Sequence, residues 1–247
     1  MWIFKRGTGL VLGGGGARGF FHMGVIKAIQ ERKIKIDKIA GTSIGAVVGA
    51  IFAANPDVDF EKLVGDLDFL TIIKSLKGIE VLLKKYVGVT NFSELKIPFC
   101  FNVTDINQKK EVVFKEGPLF PGLVAAISLP GVFPPVKISD RYFIDGGVVN
   151  NVPMSLVKST RNLIVSDITG PVKKIDEKSS GFDVMVSSLA VMQTKIEKDE
   201  VLKIKNQKVT YLNLADNDVF ILDFRKKNYK ELMDLGYKAM MESGLSK

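Results

Sequence analysis

One histidine, one cysteine and the lack of any long apolar run set the first limits on this 247-residue chain. Cys100 stands alone, so no intrachain disulfide and no cysteine-based zinc site can form. It lies in Ile97-Pro98-Phe99-Cys100-Phe101, which reads as a buried strand where a thiol packs as a small apolar group. His22 is the sole histidine and precedes Ser43. The order Ser, Asp, His of the α/β-hydrolase triad is therefore excluded. A lone histidine inside a helix reads as a packing or capping residue and not as a base. No Gly-Lys-Ser/Thr follows the glycine run, which excludes a Walker phosphate loop. No apolar run approaches the roughly 18 residues of a membrane span. Met1-Trp2-Ile3-Phe4-Lys5-Arg6 lacks the apolar core of a signal peptide, so the cytoplasm is the expected location.

What is present describes a globular chain. Hydrophobic residues make up 46%, enough for a substantial core, and charged residues 25%, which argues against disorder. The formal charge of +8 admits nucleic acid, anionic membrane or simply a lysine-rich solvated surface. Short apolar strands alternate with helical patterns from Gly9 to Ser243, and no repeat or linker interrupts them. That alternation predicts one α/β domain over residues 1–247 with a largely parallel sheet. Within it, residues 57–89 carry Leu63, Leu67, Leu70, Ile73, Leu76, Ile79, Leu82, Leu83 and Tyr86 at three- and four-residue steps among lysines. Two or three short amphipathic helices follow from that spacing. They are either a lid or membrane-docking surface, or an ordinary helical layer over the core. Residues 206–247 hold the last strand and the last helix.

Three local features carry chemistry. Gly9-Leu10-Val11-Leu12 is a wholly apolar strand that runs into Gly13-Gly14-Gly15-Gly16-Ala17-Arg18-Gly19, and a helical pattern follows. Backbone N–H groups and a helix N-terminus converge there on an anion. The run matches a dinucleotide fingerprint with Asp37 downstream, an oxyanion hole, or a bare turn. Asp37 precedes its strand instead of ending it, which counts against the nucleotide. The second feature is Gly41-Thr42-Ser43-Ile44-Gly45, a G-x-S-x-G nucleophile elbow between the strand Lys35 to Ala40 and the apolar helix Ile44 to Ala54. The third is Asp145-Gly146-Gly147, an acid at the end of an apolar strand, which reads either as a site residue or as a plain turn. Ser155-Leu156-Val157-Lys158 matches S-x-x-K without its companion motifs, so chance explains it.

Together these pieces resemble the patatin-like phospholipases. Gly14-Gly15-Gly16-Ala17-Arg18-Gly19 is similar to the family's oxyanion motif, Gly41 to Gly45 to its elbow, and Asp145-Gly146-Gly147 to its Asp-Gly-Gly/Ala motif. Val103-Thr104-Asp105, Pro130 to Pro135 and Val148 to Pro153 look like further family segments. The resemblance implies a three-layer α/β/α sandwich and a hydrolase of lipid acyl esters. It implies a Ser-Asp dyad, with Ser43 as nucleophile and Asp145 as general base. Gly14, Gly15 and Gly16 would then donate to the oxyanion, and Arg18 would fix the loop or the phosphate end of a substrate. No cofactor, metal or nucleic acid is implied. The expected partners are a lipid ester and, peripherally, anionic membrane. Two rivals stand beside this reading: a nucleotide-binding enzyme using the glycine loop, and a catalytically silent membrane scaffold.

Overall fold

The computed structural model describes residues 6–65, 75–170, 174–214 and 219–245. Among them eight strands form one sheet: β1 (Thr8–Leu12), β2 (Lys38–Gly41), β3 (Phe99–Asp105), β4 (Lys110–Phe114), β5 (Val136–Ile138), β6 (Arg141–Asp145), β7 (Asn162–Asp167) and β8 (Lys208–Asn213). Their order is β5-β6-β3-β2-β1-β7-β8, with β4 paired to β3 outside that path. The pairings from β3 through β8 along this path are parallel, whereas β4, β5 and β6 join antiparallel. The helices are α1 (Phe20–Glu31), α2 (Ile44–Ala54), α3 (Phe60–Gly65), α4 (Leu76–Val87), α5 (Phe120–Ala126), α6 (Gly181–Lys203) and α7 (Lys226–Glu242).

The strands are apolar on both faces because both faces are covered. Leu10, Leu12, Ile39, Phe99, Phe101 and Ile164 enter a large core with residues of α1, α2 and α7. Their neighbours Val11, Ala40, Cys100, Leu163 and Val165 enter a smaller one with Val152, Met154 and Val157. This is the period-two alternation of a pleated strand. Helix α2 is apolar all round since ten of its eleven residues are buried. Helices α1 and α7 touch backbone to backbone: a Cβ on Gly24 would overlap the Met233 carbonyl, and one on Gly236 would overlap that of Phe21. Only glycine permits this approach.

Most boundaries follow the sequence pattern, with two differences. β2 begins at Lys38 and not at Lys35. The pattern from Pro121 to Leu129 reads as a helix stopped by Pro130-Gly131, but α5 already ends at Ala126, where Ile127 leaves the helical region. Of the amphipathic stretch 57–89, α3 and α4 lie among the described residues, while Leu67, Leu70 and Ile73 lie outside them. α4 is capped by the Ser75 hydroxyl, which accepts from Gly78 N–H, and ends at Gly88 with φ +72°. It turns Ile79 and Leu83 into the core and leaves Val81 exposed, as a covering layer does.

The chain leaves β1 towards β2 and later returns on β1's other side as β7, so the direction of winding reverses at β1. In open α/β sheets, ligand crevices lie outside the carboxyl ends of the strands at such a reversal. The glycine loop, Ser43 and Thr169 all follow the carboxyl ends of these strands.

Candidate active site

Ser43 sits at φ 53° and ψ −127°, a conformation that side chains rarely adopt, between the end of β2 and the start of α2. The space around it explains the flanking glycines. A Cβ at Gly41 would stand 2.6 Å from the Gly45 carbonyl oxygen, and one at Gly45 would overlap the Leu12 carbonyl. The strained turn lifts the Ser43 hydroxyl out of the sheet, and it donates to Asp145 Oδ2 at 2.5 Å.

Asp145 ends β6 and is 2% exposed. Its Oδ1 accepts from Gly147 N–H at 2.8 Å, and its backbone is held by Ser128 O and Thr104 Oγ1. Burial pushes its carboxyl up to about 6, against the pull of the Ser43 and Gly147 hydrogen bonds. Asp145 thus heads a short 3₁₀ turn, Gly146–Val148, and no two-residue hairpin follows it. Gly146 leaves room for the Asn102 carbonyl, which a Cβ would overlap.

The glycine loop lies against the serine: a Cβ on Gly14 would come within 3.1 Å of Ser43 Cβ. Gly14 N–H donates to the Asn151 carbonyl at 3.0 Å, so it is already engaged. Of the three expected donors, Gly14 N–H is thus the one that already has a protein acceptor. Among the described residues no group accepts from Gly15 N–H or Gly16 N–H. Gly16 has φ +57°, and any Cβ there would overlap the Ile221 carbonyl. Gly19 abuts Ile44 of α2.

Arg18 is 6% exposed and gives its guanidinium to protein carbonyls: Nε to Val219 O at 2.8 Å and Nη1 to Thr169 O. It ties the segment after β7 and the segment before α7 to the glycine loop. His22 is fully buried in α1. Its Nε2 lies 2.8 Å from the Gly13 carbonyl, which can only accept, so Nε2 carries the hydrogen and Nδ1 accepts from Ser166 Oγ at 2.7 Å. Burial lowers its pKa to about 4, and it stays neutral. Asp37 Oδ2 accepts from Thr8 N–H, at the amino end of β1. One strand length of about 15 Å separates it from the glycine loop, so Asp37 is not placed to meet the ribose of a nucleotide bound there.

Sequence reading gives Asn151 and Thr42 no role, yet both brace the site. Asn151 accepts from Gly14 N–H through its backbone and donates from Nδ2 to Gly14 O and Thr169 Oγ1, each at 3.1 Å. Thr42 Oγ1 donates to Asn102 Oδ1 at 2.6 Å, and Asn102 and Asn150 both donate to Glu111 Oε1. The signal was the Asn150-Asn151 pair just after Asp145-Gly146-Gly147. Among the described residues no group of three His, Cys, Asp or Glu side chains could hold a metal ion, and no helix is long and apolar enough to cross a membrane.

A family model described as patatin-like phospholipase matches residues 10–158. An uncharacterized NTE family protein of Mycobacterium tuberculosis is 37% identical over 158 residues, 59% of this chain and 44% of that protein. A patatin-like phospholipase domain-containing protein of Caenorhabditis elegans is 30% identical over 93% of this chain and 20% of its own length. Lysophospholipase NTE1 of Mycosarcoma maydis is 31% identical over 65% of this chain and 10% of its own length. The chain therefore spans less than half the length of these relatives. Among solved structures, VipD from Legionella pneumophila matches with a TM-score of 0.59 at 14% identity, covering 96% of this chain and 66% of that one. The type III effector ExoU matches at 0.51 and 12% identity, covering 97% and 52%. At such identities the likeness is one of fold.

Proposed function

The chain belongs to the patatin-like phospholipase family, and from that premise we propose that it is a serine acyl hydrolase that cleaves fatty-acyl esters of phospholipids or lysophospholipids. The observation that carries the reading is the hydrogen bond of 2.5 Å from Ser43 Oγ to Asp145 Oδ2 beneath a glycine loop with two open N–H groups. The relatives named lysophospholipase support the substrate class.

Ser43 Oγ attacks the ester carbonyl and its proton passes to Asp145. A carboxylate raised to about 6 is a stronger base than an exposed one and is still ionised at neutral pH. The oxyanion that forms is met by Gly15 and Gly16 N–H, backbone donors of the kind that stabilise charge developing in acyl transfer. The intermediate collapses, the alcohol or lysolipid leaves with the proton from Asp145, and the acyl group stays on Ser43. Asp145 then takes a proton from water, the hydroxide attacks the acyl carbonyl, and a fatty acid departs as Ser43 Oγ recovers its hydrogen. One hard step has become two easier ones. His22 has no part, since both ring nitrogens are engaged elsewhere.

The test is covalent labelling. A fluorophosphonate should label the parent at Ser43, Ser43→Ala should not label, and the parent should release fatty acid from phospholipid or lysophospholipid. A folded parent that neither labels nor releases fatty acid would return the chain to the silent-scaffold reading.

A further inference from the structure

Large apolar side chains exposed on this protein are not scattered. Of the twelve that stand out among the described residues, six lie between Ile175 and Leu202: Ile175, Val184, Val191, Met192, Val201 and Leu202. Most of them belong to α6, a 23-residue helix with only Ser187 and Glu200 buried. Single exposed apolar residues need no explanation, but a concentration on one helix does.

Three of them, Val184, Val191 and Leu202, fall on one stripe of α6. Val184, Val191, Lys195, Lys198 and Leu202 follow at steps of seven, four, three and four, which keeps them on one face of a 3.6-residue helix. Val191 is 63% and Leu202 72% exposed, and both lysines are exposed. Asp199 borders the stripe. The opposite face of α6 rests on the candidate active site. Gln193 Nε2 donates to the Gly147 carbonyl at 2.8 Å, two residues from Asp145. Glu197 accepts from the Tyr211 hydroxyl, which also lies 3.0 Å from Asp167 Oδ2. Asp167 Oδ1 in turn holds Thr169, the partner of Asn151. One helix diameter, about 10 Å, therefore separates the outer stripe from the catalytic loops.

We propose that the outer face of α6 docks on an anionic lipid surface and seats the Ser43–Asp145 site beside it. The inference adds a partner and a face to the hydrolase reading and rests on it for why a lipid should lie there. Two features favour lipid over a second copy of the chain. Lysine is depleted at the centres of protein interfaces, yet Lys195 and Lys198 stand between Val191 and Leu202. The apolar residues are aliphatic, without the Trp, Tyr or Arg anchors of protein hot spots. Lysines among aliphatic side chains suit a headgroup layer, where the ammonium meets phosphate and the stem follows the acyl boundary. A net charge of +8 acts in the same direction.

The experiment is co-sedimentation of the full chain with phosphatidylcholine vesicles, with and without phosphatidylglycerol. Ser43→Ala is used so that lipid is not consumed. It should bind the vesicles containing phosphatidylglycerol, more weakly at high salt. Val191→Asp/Leu202→Asp in that background should lose about tenfold or more in binding while keeping its circular-dichroism melting point. Lys195→Glu/Lys198→Glu should lose the preference for phosphatidylglycerol. Val81→Asp, on α4, should bind as the parent does. Absence of vesicle binding overturns the proposal, as does undiminished binding by the Val191/Leu202 variant. Loss on Val81→Asp would move docking to residues 57–89. A dimer dissolved by Val191→Asp/Leu202→Asp in sedimentation velocity would assign the face to a second copy. Binding is read without turnover, so failure of the hydrolase reading shows separately, in the absence of fatty-acid release by the parent.

Discussion

Ser43 and Asp145, 102 residues apart in sequence, meet because they stand over the same point of β3. Gly41 pairs with Phe101 and Asp145 pairs with Val103. Ser43 lies two residues past Gly41, as Val103 lies two past Phe101. A one-residue slip of β6 would turn Asp145 to the other face of the sheet. The contact predicts the result of two substitutions. Ser43→Ala should abolish fluorophosphonate labelling. Asp145→Asn should reduce ester turnover by at least about two orders of magnitude, because an amide cannot take the serine proton. Labelling kinetics and fatty-acid release measure both, and full activity in either folded variant would refute the dyad.

The same aspartate should weaken the fold. Its carboxyl is raised from 3.8 to about 6, so the folded state holds the proton more tightly than the unfolded chain does. Stability then falls as pH rises through that window, and the full cost, about 3 kcal/mol, is present above it. Asp145→Asn should therefore melt higher than the parent at pH 8, by several degrees on a scale of about 2–4 °C per kcal/mol, and the difference should vanish near pH 4. Thermal melts across that range measure it. An inactive but stabilised variant is the expected outcome at a strained, buried site.

His22 carries the opposite sign. Its pKa falls from 6.5 to about 4, so the unfolded chain takes up a proton first and stability is lost as pH drops through that window. This separates the two groups kinetically. If Asp145 is the base, kcat/KM should rise with pH to a plateau above about 6, and His22→Gln should keep that limb even where its melting point falls. Loss of the limb in His22→Gln would make the histidine the titrating base.

The histidine was legible from the sequence for a simple reason: a single copy, inside a helix, ahead of the only elbow. The elbow was legible because its demands are local, a strand, a sharp turn and an apolar helix within about 20 residues. The two glycine motifs were visible on the same ground, but each alone left its role open between a site and a turn. What joins them was not legible. The Gly41–Phe101 and Val103–Asp145 pairings depend on strand register across the sheet, which no local pattern encodes. The engagement of Gly14 N–H by the Asn151 carbonyl depends on the same long-range placement. Residues 57–89 show a third limit. Helical spacing identifies amphipathic helices, but an apolar stripe facing a core and one facing a membrane have the same period.

Asn151 yields a prediction that sequence alone could not supply. It grips Gly14 on both sides, accepting from its N–H and donating to its carbonyl. Asn151→Ala keeps the backbone bond and removes the side-chain one. The glycine loop should loosen, and kcat should fall by roughly 10- to 100-fold with KM little changed, since a small misplacement of oxyanion donors acts on the transition state. Asn151→Asp should be worse, because a carboxylate would face the Gly14 carbonyl. Fluorophosphonate labelling rates in the order Asn, Ala, Asp would bear this out, and equal rates would exclude a positioning role.

Arg18 separates two roles that its place in the motif leaves open. A guanidinium that bound the phosphate of a substrate would matter for phospholipids and not for a short-chain carboxylic ester. Here Nε and Nη1 already serve the Val219 and Thr169 carbonyls, and the side chain is almost wholly buried. Lysine keeps the charge but lacks the planar fork that reaches two carbonyls at once. Arg18→Lys should therefore lower stability by about 1–3 kcal/mol, the cost of a buried acceptor losing its donor. It should also reduce kcat/KM on phospholipid and on p-nitrophenyl butyrate by the same factor. A loss confined to the phospholipid would place the guanidinium on the headgroup.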